Sequence, residues 1–350
     1  MSRPLLASAS YDQNIRLWDV VTASPVESFA HKESQVNVMQ FSRDGCQLAV
    51  GGWQHIRIYD VQCFPPPIVG TCDSLNKNVM SIGFEERSQW MYSGGEDCTA
   101  KIWDYRCALQ CQRIFQVSAP VNWVALHSNQ VVLVVVDSSG ALYMWDLRRD
   151  SSETLSSFDL DISEYISHVD VSKTGEYLLA ITNRGKILLW TLGSADASPM
   201  STVILPMDLK AKINGHSKYG LSCRFAPNSN QFATTSADGC VKLWDCDKLS
   251  KSSQTLSLDN EATKTVTTPQ SAKASSLLSL FSFNVKYYNH EQLKVEAKWV
   301  WDCAYTNDST KLFTASGCQL RLWDLDKNQV IRQYQGHSKT VTAMAFRDSN

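Results

Sequence analysis

The stretch Thr234-Thr235-Ser236-Ala237-Asp238-Gly239-Cys240-Val241-Lys242-Leu243-Trp244-Asp245, with His216 upstream, decides the fold. An apolar run ends in small polar residues, Asp-Gly makes a tight turn, and a second alternating run ends in Trp-Asp. Asp-Gly between alternating runs predicts a hairpin with a two-residue turn, because such a turn needs φ > 0 at its centre. The pattern recurs as SASYDQNIRLWD from Ser8, SGGEDCTAKIWD from Ser93, VDSSGALYMWD from Val136 and TASGCQLRLWD from Thr314. Self-similarity on this scale marks a repeat architecture.

The aromatics that end the second hairpin strands are Trp18, Tyr59, Trp103, Trp145, Trp190, Trp244 and Trp323. Most are spaced near the ~40–45 residues of WD repeats, and two intervals carry insertions. Each repeat offers an inner strand, two hairpin strands and an outer strand. Such a unit cannot bury its faces alone, and a ring of them leaves only short, protected edges. The first hairpin, Leu5 to Asp19, has no inner strand before it. The last segment, Gly336 to Phe346, is an inner strand with no hairpin after it. The two halves complete one blade. The expectation is therefore an all-β, seven-bladed WD-repeat β-propeller, one domain over residues 1–350, closed by the C-terminal inner strand.

Two insertions interrupt the period. One lies between Trp190 and His216, roughly Gly193 to Leu209. The other follows an outer strand expected near Ser253–Asp259 and occupies about 260–298. Its first part is rich in Ser, Thr, Lys and Ala, a composition that builds no core. Its second part, SLLSLFSFNVKYYN, is apolar and aromatic.

Composition narrows the function. With 43% hydrophobic residues the chain can bury a large core, and a net charge of −2 offers nucleic acid or anionic lipid no attraction. No apolar run reaches ~18 residues, so no spanning helix is expected. The start MSRPLLASAS lacks the apolar core of a signal peptide. Eleven cysteines without paired CxxC spacing read as reduced thiols packed like small hydrophobes, in an intracellular protein without a structural metal.

His216, Ser236, Asp238 and Trp244 follow the order of the hydrogen-bonded tetrad that fastens WD repeats. Ser10, Asp12 and Trp18 repeat those offsets, with His337 as the fourth member across the seam. Ser, His and Asp also suggest a catalytic triad, which needs an exposed nucleophile and an oxyanion hole. Repetition of the trio favours fastening. No phosphate-binding GxxxxGK[ST] loop occurs, and the other histidines do not cluster. Neither an enzyme nor a cofactor is expected.

Protein binding has better support. Trp53, Trp90, Trp123, Trp299 and Trp301 are not repeat anchors; of these, Trp53 and Trp90 read as inter-blade packing. Tryptophan and tyrosine are enriched where partners are gripped. In a WD propeller the inner strands begin at the channel mouth on the narrower face. That places Gln35, Asn78, Tyr219 and Trp299 on the rim, with Asn37, Asn122 and Trp301 two residues deeper. Trp-Asp-x-Arg occurs twice, ending in Arg106 and Arg148. In some propellers this motif docks onto a cullin-type ubiquitin-ligase adaptor, so a substrate receptor is the alternative. A G-protein β-like signalling propeller is disfavoured, because no heptad helix precedes the first hairpin.

Several stretches lie outside the repeat consensus: Ser34-Gln35-Val36-Asn37, Gln54 to Asp60, Asn76-Lys77-Asn78, Met91 to Asp104, and Gln110 to Val117. In these the chain resembles the propeller subunit of the target-of-rapamycin (TOR) kinase complexes, the lethal-with-sec-thirteen or G-protein-β-subunit-like family. The likeness runs from Leu5 to Ser349. It departs in the long loop before Trp299 and in the turn Ser316-Gly317-Cys318, which lacks the family's Asp. The resemblance implies a non-catalytic subunit that binds and stabilises the TOR kinase catalytic domain beside other TOR-complex subunits. It also implies a cytoplasmic place, reaching lysosomal or other endomembranes through the complex. The family's contact residues map onto Gln35, Asn37, Trp299 and Trp301; Asn78, Asn122 and Tyr219 extend that set along the rim.

Overall fold

The computed structural model describes residues 3–105, 109–155, 160–161, 163–193, 206–249, 291–294 and 298–348. Alternating apolar runs form seven four-stranded antiparallel sheets. The inner strands, in order around the ring, are Val341–Arg347, Val38–Phe41, Val79–Phe84, Val121–Leu126, Ile166–Val171, Gly220–Phe225 and Val300–Tyr305. Each packs against the next, and the last returns to the first, giving a closed seven-bladed β-propeller. Leu5 pairs with both Arg347 and Asp19, so the two ends of the chain share the first blade.

Burial follows the repeat. Trp18, Trp103, Trp145 and Trp190 are almost wholly buried between blades, each contributing about 1.5–3 kcal/mol through removal of apolar surface from water. Outer strands such as Pro25–Ala30 and Ser151–Leu155 are mostly exposed.

The tetrads form, with one correction. The indole N–H of Trp244 donates to the Thr234 hydroxyl at 2.9 Å, and His216 Nε2 lies 2.8 Å from the same oxygen. His216 Nδ1 meets Asp238 at 2.9 Å. The hydroxyl member is thus Thr234, not Ser236. Trp244 pairs directly with Phe232, so Thr234 is its diagonal neighbour, within an indole's reach, and Ser236 is four residues past the partner. Ser236 instead donates to the Tyr219 carbonyl at 2.9 Å. At the seam the hydroxyl is likewise Ser8, not Ser10: Trp18 Nε1 and His337 Nε2 both lie 2.8 Å from Ser8 Oγ. His337 Nδ1 meets Asp12 at 3.0 Å.

The hairpin turn also differs from a two-residue turn. Gly239 N–H donates to Ser236 O at 3.2 Å, and Gly239 takes φ +81°. The loop is a turn followed by one left-handed residue, which leaves Asp238 free to accept from Cys240 N–H at 2.9 Å.

The second blade, where Tyr59 replaces Trp, is fastened differently. His31 Nδ1 lies 3.0 Å from the Tyr59 hydroxyl, and its Nε2 lies 3.0 Å from His55 Nε2. Arg57 pairs with Glu33 at 2.6 Å and with Asp73 beside it.

Both insertions interrupt the link between the third and fourth strands of a blade. Residues 194–205 lie between the strands Lys186–Leu192 and Met207–Asn214 of the fifth blade. In the sixth, the place beside Cys240–Asp245 is taken by Glu291–Lys294. The outer strand expected near Ser253–Asp259 falls outside the described residues, as does most of 260–298, and the strand that fills its position lies near the end of the expected insertion. A four-residue Glu-Gln-Leu-Lys edge carries no apolar alternation to announce it. No helix among the described residues is long and apolar enough to cross a membrane.

Candidate protein-binding rim

The hairpin turns and the starts of the inner strands share one face. Ala237 N–H donates to Tyr219 O, Ser138 N–H to Pro120 O, Asn183 N–H to Tyr165 O and Glu96 N–H to Asn78 O. These bonds fix the rim around the channel mouth. Register along the inner strands shifts at one residue in blade after blade: the pairing skips Met80, Asn122, Ser167, Leu221, Trp301 and Thr342. Asn37 is the corresponding residue of the second blade, just ahead of the Val38 pairing. A bulged residue is freed from the ladder and its side chain is re-aimed. All seven line a cavity of about 400 Å³ on the axis of the ring.

The predicted residues fall in two groups. On one side are amides. Asn37 Nδ2 donates to Asn78 Oδ1 at 3.1 Å, and Asn78 Nδ2 donates to Glu96 at 3.0 Å. Asn122 Nδ2 donates to Ile166 O at 2.8 Å and its Oδ1 accepts from Ser138 at 2.8 Å. Gln35 is exposed two residues before Asn37. On the other side are aromatics. Trp299 is 49% exposed and lies 5.3 Å from the half-buried Trp301. Tyr219 is 38% exposed, its hydroxyl 3.2 Å from that of Tyr165. Burial pushes the Tyr219 hydroxyl pKa up, and the Tyr165 hydroxyl adds to it. Asn37, Asn122, Tyr219, Trp299 and Trp301 line the cavity; Gln35 and Asn78 flank it.

Two rim aromatics escape the sequence reading. Tyr11 is exposed and meets Trp301 edge-on at 6.4 Å. Its position in a hairpin turn, beside the inner strand of its own blade, was the available signal. Trp53 does not pack between blades: it is 48% exposed, in a turn bridged to Asn78. Trp90 does pack against a buried cluster. Arg148 is exposed beside Asp146, and Arg106 lies outside the described residues. No group of three metal-ligating side chains occurs among the described residues.

A closed ring of seven sheets with a bulged, aromatic and amide-lined mouth defines a WD-repeat propeller, and the WD domain, G-beta repeat family matches residues 2–19, 23–60, 68–104, 207–245 and 287–324. The chain is 37% identical over 347 residues to "Target of rapamycin complex subunit LST8" of Bos taurus, covering 99% of this chain and 95% of that protein. It is 35% identical to "Protein LST8 homolog" of Drosophila melanogaster, covering 98% and 96%. With "Target of rapamycin complex subunit wat1" of Schizosaccharomyces pombe it shares 32% over 249 residues, 70% of this chain and 76% of that one. The chain belongs to the LST8 family.

Proposed function

We propose that this chain is a non-catalytic scaffold subunit of a TOR complex that grips the kinase catalytic domain with the rim. Membership of a family whose relatives are named as TOR complex subunits carries the reading. The rim supports it: exposed tryptophan beside a row of amides suits a protein partner better than a small polar substrate. The Ser, His and Asp residues are absorbed in fastening. The Thr234 hydroxyl is fully buried and already accepts from Trp244, so it cannot act as a nucleophile. Other TOR-complex subunits are the further partners. The place in the cell is cytoplasmic, with endomembranes reached through the complex. The ubiquitin-ligase reading finds no counterpart among the named relatives.

The test replaces Gln35, Asn37, Trp299 and Trp301 with alanine and asks whether TOR kinase still co-purifies. Loss of kinase with unchanged circular dichroism is the expected result. Undiminished recovery would overturn the rim assignment.

A further inference from the structure

The axial cavity holds charged groups that the rim leaves unused. Arg224 lies five residues beyond Tyr219 on the same inner strand, about 16 Å deeper at the rise of an extended chain. It lines the cavity and is only half-buried. Its guanidinium stands 5.4 Å from the Trp123 ring, and it makes no hydrogen bond or ion pair with the described residues. Burial pulls its pKa down, and Asp302 and Asp170, acting through space, more than restore it.

Both carboxylates are otherwise engaged. Asp302 Oδ1 accepts from the Ser222 hydroxyl at 3.1 Å and from Cys303 N–H at 2.9 Å. Asp170 Oδ2 accepts from Phe225 N–H at 2.7 Å. A second group in the same cavity is incomplete. His168 is buried with its ring 3.9 Å from that of Trp123. Its Nδ1 lies 3.5 Å from Cys223 N and 3.4 Å from Cys223 Sγ. Its Nε2 is buried with no partner among the described residues. A buried polar group left unpaired costs about 1–3 kcal/mol, so such groups call for a partner.

We propose that this cavity binds a small neutral molecule carrying a primary carboxamide. Its oxygen would face the Arg224 guanidinium, its NH₂ the Asp302 carboxylate, and its apolar body would lie among Met39, Met80, Trp123 and Leu221. The charges select for neutrality. An anion would be attracted by the Arg224 guanidinium and opposed by the Asp302 carboxylate in the same lining, and a cation would meet the reverse. A carboxamide presents an acceptor and two donors with no net charge to desolvate. The cavity volume of about 400 Å³ falls within the ordinary range for small-molecule sites. The inference rests on the cavity of the free chain alone and does not depend on which partner the rim takes.

Benzamide, benzoate and benzamidine are near-isosteric neutral, anionic and cationic probes. Titrated into the full chain by saturation-transfer NMR and calorimetry, benzamide should bind saturably, roughly tenfold tighter than either charged probe. Arg224→Met should abolish that binding. Arg224→Lys, which keeps the charge and loses the planar fork, should weaken it several-fold while the fold persists by circular dichroism. Three results would overturn the proposal: no saturable binding of any probe, as for a channel holding only water; a preference for benzamidine or benzoate; or benzamide affinity unchanged in Arg224→Lys. If Arg224→Met does not fold, the order of the probes and the lysine variant still decide.

Discussion

At the scale of single residues, the repeat's polar set works as a fastener whose key atom is one hydroxyl. Thr234 Oγ1 receives the Trp244 indole and touches His216. Replacing it with valine keeps the shape and leaves two buried polar groups unmade. Thr234→Val should therefore lower stability by about 2 kcal/mol, measured by urea denaturation; a change below ~0.5 kcal/mol would show that the fastener is idle. Serine and threonine alternate along this strand on one face, so sequence offered two hydroxyls and no way to choose. Only the pairing register picks Thr234 over Ser236. The His31–His55 pair gives a second prediction. Burial first, then the neighbouring His55, hold the His31 pKa down to about 4, against Glu33 and with Arg57. An unfolded chain takes up that proton near pH 6.5, while the folded one resists until about pH 4. Stability is then present above pH 6.5 and drains as pH falls through that window. The loss reaches up to ~3 kcal/mol near pH 4. His31→Gln should flatten the denaturation midpoint between pH 7 and pH 4.5; an identical pH slope in the variant would remove His31 as the cause.

At the scale of elements, the seven blades were legible because each hairpin ends in an aromatic that the ring buries. Trp18 and Trp145 sit in period with the turns before them, and apolar alternation marks the strands between. The rim was legible in part. Gln35, Trp299 and Tyr219 follow from where inner strands begin. The bulges were not legible, because a skipped pair is a property of two strands and leaves no mark in either sequence. Yet the bulges explain why Asn37, Asn122 and Trp301 point to the axis. Trp53 lies exposed where packing was the expectation for a related reason: a tryptophan in a turn looks the same in sequence whether it packs inward or outward. Glu291–Lys294 escaped notice because four mostly polar residues at a sheet edge resemble loop. A bulged residue owes nothing to the ladder beside it, so its side chain can change without moving a strand. Asn122→Ala and Trp301→Ala should each leave the melting temperature within about 2 °C, while Asn122→Ala and Trp301→Ala together should weaken recovery of TOR kinase. A large fall in melting temperature would mean that these side chains hold the blades.

At the scale of the whole molecule, the face away from the rim is held by neighbouring turns. Arg43 N–H donates to Ser88 Oγ at 3.0 Å, Glu86 N–H to Gln130 Oε1 at 3.1 Å, Thr174 N–H to Ser229 Oγ at 3.3 Å, and Asn228 N–H to Ser309 Oγ at 3.1 Å. Each receiving residue has positive φ, so one backbone habit in each turn presents a side chain to the blade before it. Arg347 of the first blade continues the chain of contacts to Gly45 of the second. The third strands of the blades end on this same face: Leu192 N–H donates to Glu176 O, and Cys246 N–H to Asn230 O. The chain therefore departs after Leu249 and rejoins at Glu291 on the side away from Trp299 and Trp301. Replacing residues 252–289 with a short Gly-Ser linker should preserve kinase recovery and raise stability by about 1–2 kcal/mol, through the smaller entropy of closing a shorter loop. Loss of kinase recovery would place part of the contact in the removed stretch. The propeller thus has one side open to lengthening and another held to a fixed outline. Segments can be acquired, lost or rewritten between the third and fourth strands of a blade while the rim stays the same shape.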